Sequence, residues 1–128
     1  MKLTCQINQT FKATPEKIYS AWLDSAGHSD MTGGEAICGN EVGDKFTAWD
    51  GYISGENISL VANEKIIQSW RTADFDADDE DSQITILFET AEEGCLVTLI
   101  HNNIPINQPD YQKGWVEHYF DPMLSIFN

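Results

Sequence analysis

Apolar and polar positions alternate from Lys2 to Thr10. Leu3, Cys5, Ile7 and Gln9 fall on one side and Thr4, Gln6, Asn8 and Thr10 on the other. A period of two marks a strand with distinct faces, and it runs on to Phe11. Thr14-Pro15 then opens a short helix, with Thr14 as N-cap and Pro15 at the first helical position, where its missing N–H costs nothing. Ile18, Tyr19, Trp22 and Leu23 form its inner face. Asp24-Ser25 begins a second short helix or turn through about Met31, which Gly33-Gly34 ends.

From Glu35 onward the pattern predicts a meander of strands: Ala36 to Cys38, Asp44 to Trp49, Tyr52 to Val61, Lys65 to Arg71, Gln83 to Thr90 and Cys95 to Asn102. Asp50-Gly51 is a hairpin signal, and Asn63-Glu64 and Glu92-Glu93-Gly94 supply further turns. Gly55 inside its strand predicts a bulge that helps the sheet curl. Ile84, Ile86 and Phe88 share one face, so that strand is half buried. In the last strand Val97 and Leu99 compete for the inner face with Leu96 and Ile100.

The closing stretch, Pro109 to Phe127, has the period of one long helix. At about 100° per residue, Tyr111, Trp115, Val116, Tyr119, Phe120, Met123, Ile126 and Phe127 occupy about half the circumference. Lys113, Gly114, Glu117, His118, Asp121 and Ser125 occupy the other half, with Leu124 at the border. Gln112 interrupts the apolar arc, and Asp110 is the expected N-cap. Pro122 removes an intrahelical bond, which predicts a kink near His118 or a break capped by Asp121. So wide an aromatic face needs a large curved surface to cover it. The order β, two short helices, antiparallel strands and one long helix therefore predicts an α+β fold: a curved sheet of about six to seven strands gripping the terminal helix, with room for a cavity between them.

Composition narrows the function classes. The 128 residues, 41% of them hydrophobic, suit one globular domain spanning 1–128. No apolar run is long enough to span a bilayer and no leader opens the chain, so a soluble, cytoplasmic protein is expected. The net charge of −14, from 7 basic and 21 acidic residues, leaves no basic cluster for a phosphate backbone. Nucleic acid and anionic membrane are excluded as partners, while a protein surface or a hydrophobic small molecule stays open. Cys5, Cys38 and Cys95 are odd in number and form no CxxC, as expected of free thiols in a reducing compartment.

Candidate chemistry is sparse. The acidic run Asp74 to Asp81 lacks the Gly and Glu that a calcium loop requires, since those positions hold Asp79 and Thr85, and it reads as a solvated loop. Arg71 is expected to pair with a nearby carboxylate. No catalytic or phosphate-binding motif is present, so no cofactor or metal is expected and a non-enzymatic role is favoured. His101 near Tyr119 is the acid–base pair that a cyclase or hydrolase on this fold would use. Trp49, Trp70, Phe88, Trp115 and Tyr119 are candidates to line a ligand cavity. His101 and Gln112 join them, because an inward polar side chain needs a partner.

Several stretches resemble a known family. They are Thr14-Pro15-Glu16 at the first helix, Gly51 to Glu56, Ile66 to Arg71, Ile104-Pro105 and Gly114 to Phe120. Together they are similar to the C-terminal domain of the activator of the ninety-kilodalton heat-shock chaperone's ATPase and its stand-alone bacterial relatives, from about residue 7 to the end. The resemblance implies the helix-grip, START/Bet v 1-like fold, supplies no catalytic motif, and implies a chaperone as one possible protein partner. It leaves the oligomeric state open.

Overall fold

A computed structural model describes residues 2–127. The strands are β1 (Lys2–Phe11), β2 (Lys45–Ala48), β3 (Ile53–Val61), β4 (Lys65–Thr72), β5 (Ser82–Ala91) and β6 (Gly94–Pro105). They form one antiparallel sheet in the order β1-β6-β5-β4-β3-β2, so β1 pairs with the last strand and the rest follow as hairpins. Between β1 and β2 lie α1 (Pro15–Trp22) and α2 (Ser25–Thr32), capped by Thr14 and Asp24. α2 closes on Gly33 at φ 85°, a left-handed cap that glycine adopts without a Cβ penalty.

Alternation decides which face is inner. Ile66, Gln68 and Trp70 of β4, Ile84, Ile86 and Phe88 of β5, and Val97, Leu99 and His101 of β6 are all buried. The competition in β6 is thus won by Val97 and Leu99, while Leu96 and Ile100 are half-buried on the other face. The two short helices pack on this inner face, where Tyr19 meets Phe88 edge-on at 5.6 Å. The C-terminal helix fills the rest. Trp115 approaches Trp70 of β4, and Phe120 and Phe127 close on Phe11 at the end of β1 at 5.7 and 6.2 Å.

Three local expectations are corrected. Ala36 to Cys38 is not a strand; a single bridge from Ile37 to Thr47 is all that forms. The strand expected to reach Trp49 stops at Ala48, and Trp49 belongs to the turn. The bulge falls at Ile58, where the β3–β4 register shifts between Asn57 and Ser59, and not at Gly55. Gly55 is required for close approach instead, since a Cβ there would strike the Ser69 carbonyl and the Phe46 ring.

The C-terminal helix neither breaks nor is capped at Asp121. It runs as α3 (Tyr111–Trp115), a π-helical turn (Val116–Phe120) and α4 (Asp121–Ile126), and Asp121 N–H donates to the Val116 carbonyl five residues back. Pro122 has no N–H to offer, and the wider turn accommodates that loss at the start of α4 without a break. Widening has a second effect: five π-helical residues lag an α-helical wheel by roughly a quarter turn. That lag gathers Trp115, Tyr119, Phe120, Met123 and Phe127 into a narrow buried stripe. It leaves Val116 and Ile126, which the regular wheel placed in the apolar arc, 38% and 49% exposed.

Candidate functional site

Where the start of the C-terminal helix faces the β2–β3 turn, the two elements part to leave a cleft of about 370 Å³. Tyr111, Gly114, Trp115, His118 and Tyr119 form its helical wall, at the i, i+3, i+4, i+7, i+8 spacing of a single stripe. Trp49, Tyr52, Ile53 and Trp70 form the opposite wall. The rings pack on one another, with centroids 5.5 Å apart for Trp70–Trp115, 5.1 Å for Trp70–Tyr111 and 4.8 Å for Trp115–Tyr119. Trp49 turns its ring edge-on to His118 at 5.6 Å, bridging the two walls.

Trp49 occupies this place at a backbone cost. Its φ is 51° and that of Asp50 is 59°, in the left-handed region that bulky side chains avoid. Such strain costs on the order of 1–3 kcal/mol and collects at functional positions. Trp49 Nε1 is also buried without a partner among the described residues.

Behind the cleft, two neutral histidines hold the helical wall. Trp115 Nε1–H donates to His101 Nδ1 at 3.0 Å, so that nitrogen must be unprotonated. The proton is then on Nε2, which donates to Ser82 Oγ at 2.7 Å, and Ser82 in turn donates to the Trp70 carbonyl at 2.7 Å. Burial lowers the His101 pKa to about 3, consistent with a neutral ring. His28 is the mirror case: Nδ1–H donates to the Trp22 carbonyl at 2.8 Å, leaving Nε2 to accept from Tyr119 O–H at 2.7 Å. Burial lowers the His28 pKa, against the opposing pull of the Trp22 carbonyl, and burial raises that of the Tyr119 phenol. Trp22 extends the network through Gln68 to Asn57, whose amide donates to the Gly39 and Glu41 carbonyls.

The rim of the cleft is tied to the acidic loop. Tyr52 O–H donates to Asp74 Oδ2 at 2.5 Å, and Tyr111 O–H donates to Gln108 Oε1 at 2.6 Å. The Gln108 amide reaches the Asp74 carbonyl at 3.4 Å, which links the two tyrosines. Arg71 organises the loop as expected of a structural ion pair. Its guanidinium bonds Asp81 at 2.6 Å, donates to the Asp76 and Asp79 carbonyls, and lies 5.4 Å over the Phe75 ring.

Of the residues singled out from sequence, Trp49, Trp70, Trp115 and Tyr119 meet at the cleft. His101 is inward, but the protein itself satisfies both its nitrogens, so it supports the wall and does not reach for a ligand. It shares no hydrogen bond with Tyr119, which bonds His28, so the suggested acid–base pair is not formed. Two candidates are corrected. Phe88 packs in the core against Tyr19, and Gln112 is exposed on the first turn; neither lines the cleft. Tyr52, Ile53, Tyr111, Gly114 and His118 line it without having been singled out, although the stripe spacing on the helix was available as a signal. The free thiols are inert by comparison. Burial, and secondarily Asp24, pushes the Cys38 pKa up to about 11, and burial also raises those of Cys5 and Cys95. Among the described residues no three His, Cys, Asp or Glu side chains converge as metal ligands, and no helix is long and apolar enough to cross a membrane.

Gly114 makes the cleft as much as the rings do. It sits inside a helix, where glycine is about 0.5–1 kcal/mol worse than alanine, yet an added Cβ would meet nothing within 4 Å. Gly114→Ala is therefore expected to stabilise the protein by about 0.5–1 kcal/mol in urea unfolding. A loss of stability would mean that the space is closed.

A curved antiparallel sheet clasping a C-terminal helix, with an aromatic cleft between them, defines a helix-grip protein of the START/Bet v 1-like kind. Residues 12–128 match the family model described as Activator of Hsp90 ATPase homolog 1-like protein, and the chain belongs to that family. It is similar to the "Activator of 90 kDa heat shock protein ATPase homolog" of Dictyostelium discoideum, 27% identical across 98% of this chain and 33% of that protein. It is also similar to the human "Activator of 90 kDa heat shock protein ATPase homolog 1", 26% identical across 97% of this chain and 37% of that protein. The chain thus spans about a third of the length of these curated relatives. Among solved structures, an HSP90 activator from Plasmodium falciparum superposes with a TM-score of 0.86 at 25% identity, covering 97% of this chain and 95% of that one.

Proposed function

We propose that this chain is a non-enzymatic binding domain whose aromatic cleft takes up an apolar small molecule. The observation that carries the proposal is the unfilled space beside Gly114, walled by Trp49, Trp70 and Trp115. A volume of about 370 Å³ lies at the lower end of small-molecule sites. The strained Trp49 and the glycine inside a helix both cost stability that a purely structural core would have no reason to spend. Titration with a neutral naphthalene-based polarity probe, followed by tryptophan quenching and native mass spectrometry, tests it. Saturable one-to-one binding that Gly114→Leu abolishes, while the variant stays folded, is the expected result. Non-saturable binding, or binding that Gly114→Leu leaves unchanged, would overturn the proposal.

A second reading is favoured by family membership: contact with a ninety-kilodalton heat-shock chaperone and stimulation of its ATPase. The purified chain, added to the cognate chaperone, then raises ATP turnover in proportion to its occupancy. Unchanged turnover, together with no complex by size-exclusion chromatography, ends this reading. Gly114→Leu separates the two, since it fills the cleft while leaving the outer surface intact.

A further inference from the structure

The walls of the cleft differ from an ordinary apolar pocket in the kind of surface they offer. Trp49, Tyr52, Trp70, Tyr111, Trp115 and Tyr119 contribute six aromatic rings beside the His118 imidazole, with Ile53 the single aliphatic side chain. Trp70, Trp115 and Tyr119 are only 3–4% exposed, so Trp49, Tyr52 and Tyr111 offer most of the ring surface. The face of an aromatic ring is electronegative and attracts a cation more strongly than a neutral group of the same shape. Among the described residues that line the cleft there is no Lys or Arg to compete. The nearest guanidinium, that of Arg71, is already held by Asp81 and the loop carbonyls, and Lys113 lies beside Glu117 at 3.8 Å. At the rim stands a carboxylate, Asp74, in direct contact with the Tyr52 hydroxyl.

We infer that the cleft prefers cationic ligands, and that its occupant is a small ammonium compound whose charged head lies against the rings of Trp49, Tyr52 and Tyr111 with Asp74 at the rim. This rests on the cleft reading above and adds a positively charged head to the apolar ligand body proposed there. The local potential agrees with it. Burial pushes the Tyr111 phenol up to about 12 against a hydrogen bond with Thr72 that lowers it, and Tyr52 and Asp74 raise it further. Tyr52 is raised as well, by burial first and then by its bond to Asp74. Burial, the larger cause in both, disfavours any charge. The Asp74 carboxylate that adds to it, however, is a negative charge that favours an ammonium group at the rim, and the net charge of −14 extends that bias.

Three benzyl compounds that differ only in the head group test the inference by isothermal titration of the full chain. They are benzyltrimethylammonium, its uncharged carbon isostere neopentylbenzene, and phenylmethanesulfonate. The expected order is cation, neutral, anion, with the cation at least about tenfold tighter than the neutral compound. Trp49→Leu, which keeps an apolar wall but removes a ring face, should weaken the cation several-fold and leave the neutral compound within about twofold. Asp74→Asn should narrow the gap between cation and neutral further. Equal affinities, a reversed order, or binding of the neutral polarity probe alone overturns the inference and leaves the apolar-cleft reading standing. Loss of every ligand, that probe included, overturns both.

Discussion

Trp115→Ala is expected to destabilise the protein by at least about 3–5 kcal/mol, enough to unfold much of a domain whose total stability is of ordinary size. The side chain is 3% exposed and touches four other rings, those of Trp22, Trp70, His101 and Tyr119. Its removal opens a cavity that the stiff β4 and β6 cannot close. It also strands His101 Nδ1, a fully buried acceptor, which adds about 1–3 kcal/mol. Trp115→Phe separates these contributions, because it keeps most of the ring and loses only the indole N–H. Combining it with His101→Leu should recover part of that loss, since the double variant removes the stranded Nδ1 and Ser82 still donates to the Trp70 carbonyl. Urea unfolding of the two single variants and the double variant measures this coupling. If Trp115→Ala cost less than about 1 kcal/mol, the helix would not be held by this ring.

The parts of the fold legible in the sequence are those governed by local period. Alternation marked β4 and β5, because their buried residues all face one way and little else competes for that face. Thr14, Asp24 and Asp110 announced the helix starts, since an N-cap is a local hydrogen bond and each one is made. The aromatic face of the last helix was legible for the same reason. Its exact width was not, because a regular wheel has no place for a π-helical turn, and the turn moves Val116 and Ile126 out of the stripe.

The candidate site was half legible. Trp115 and Tyr119 follow from the helix period, whereas Tyr52 belongs to a turn where the strand period does not apply. Trp49 looked like the end of a strand. Its ring reaches the cleft through a left-handed backbone that no propensity argument would assign to tryptophan. His28 was legible only as a lone titratable residue in a short helix. Its meaning comes from Tyr119, 91 positions away, and such pairings are set by tertiary packing alone. Rings with a polar tip, placed where a neutral histidine can meet the tip, account for both the rigidity of the helical wall and the open space beside it. The wall is fixed from behind, so the cleft does not need a ligand to hold its shape.

The same two histidines make stability fall in acid. Folded His101 stays neutral down to about pH 3, and burial lowers the His28 pKa as well. In the unfolded chain both take up a proton near pH 6.5. Between these limits the unfolded state binds more protons than the folded one, so unfolding becomes easier as pH drops, and the contribution is fully present only above about pH 6.5. At pH 5 His101 has withdrawn about 2 kcal/mol relative to pH 7, and His28 acts in the same direction. The net charge of −14 adds a self-repulsion common to every variant. The test is therefore a difference between variants. His101→Gln can still accept from Trp115 and donate to Ser82, yet it cannot titrate. Urea midpoints from pH 7 to pH 5 should show the wild type losing about 2 kcal/mol more than this variant. Parallel curves would mean that His101 takes up its proton without leaving the folded state, which the Trp115 N–H pointed at Nδ1 forbids.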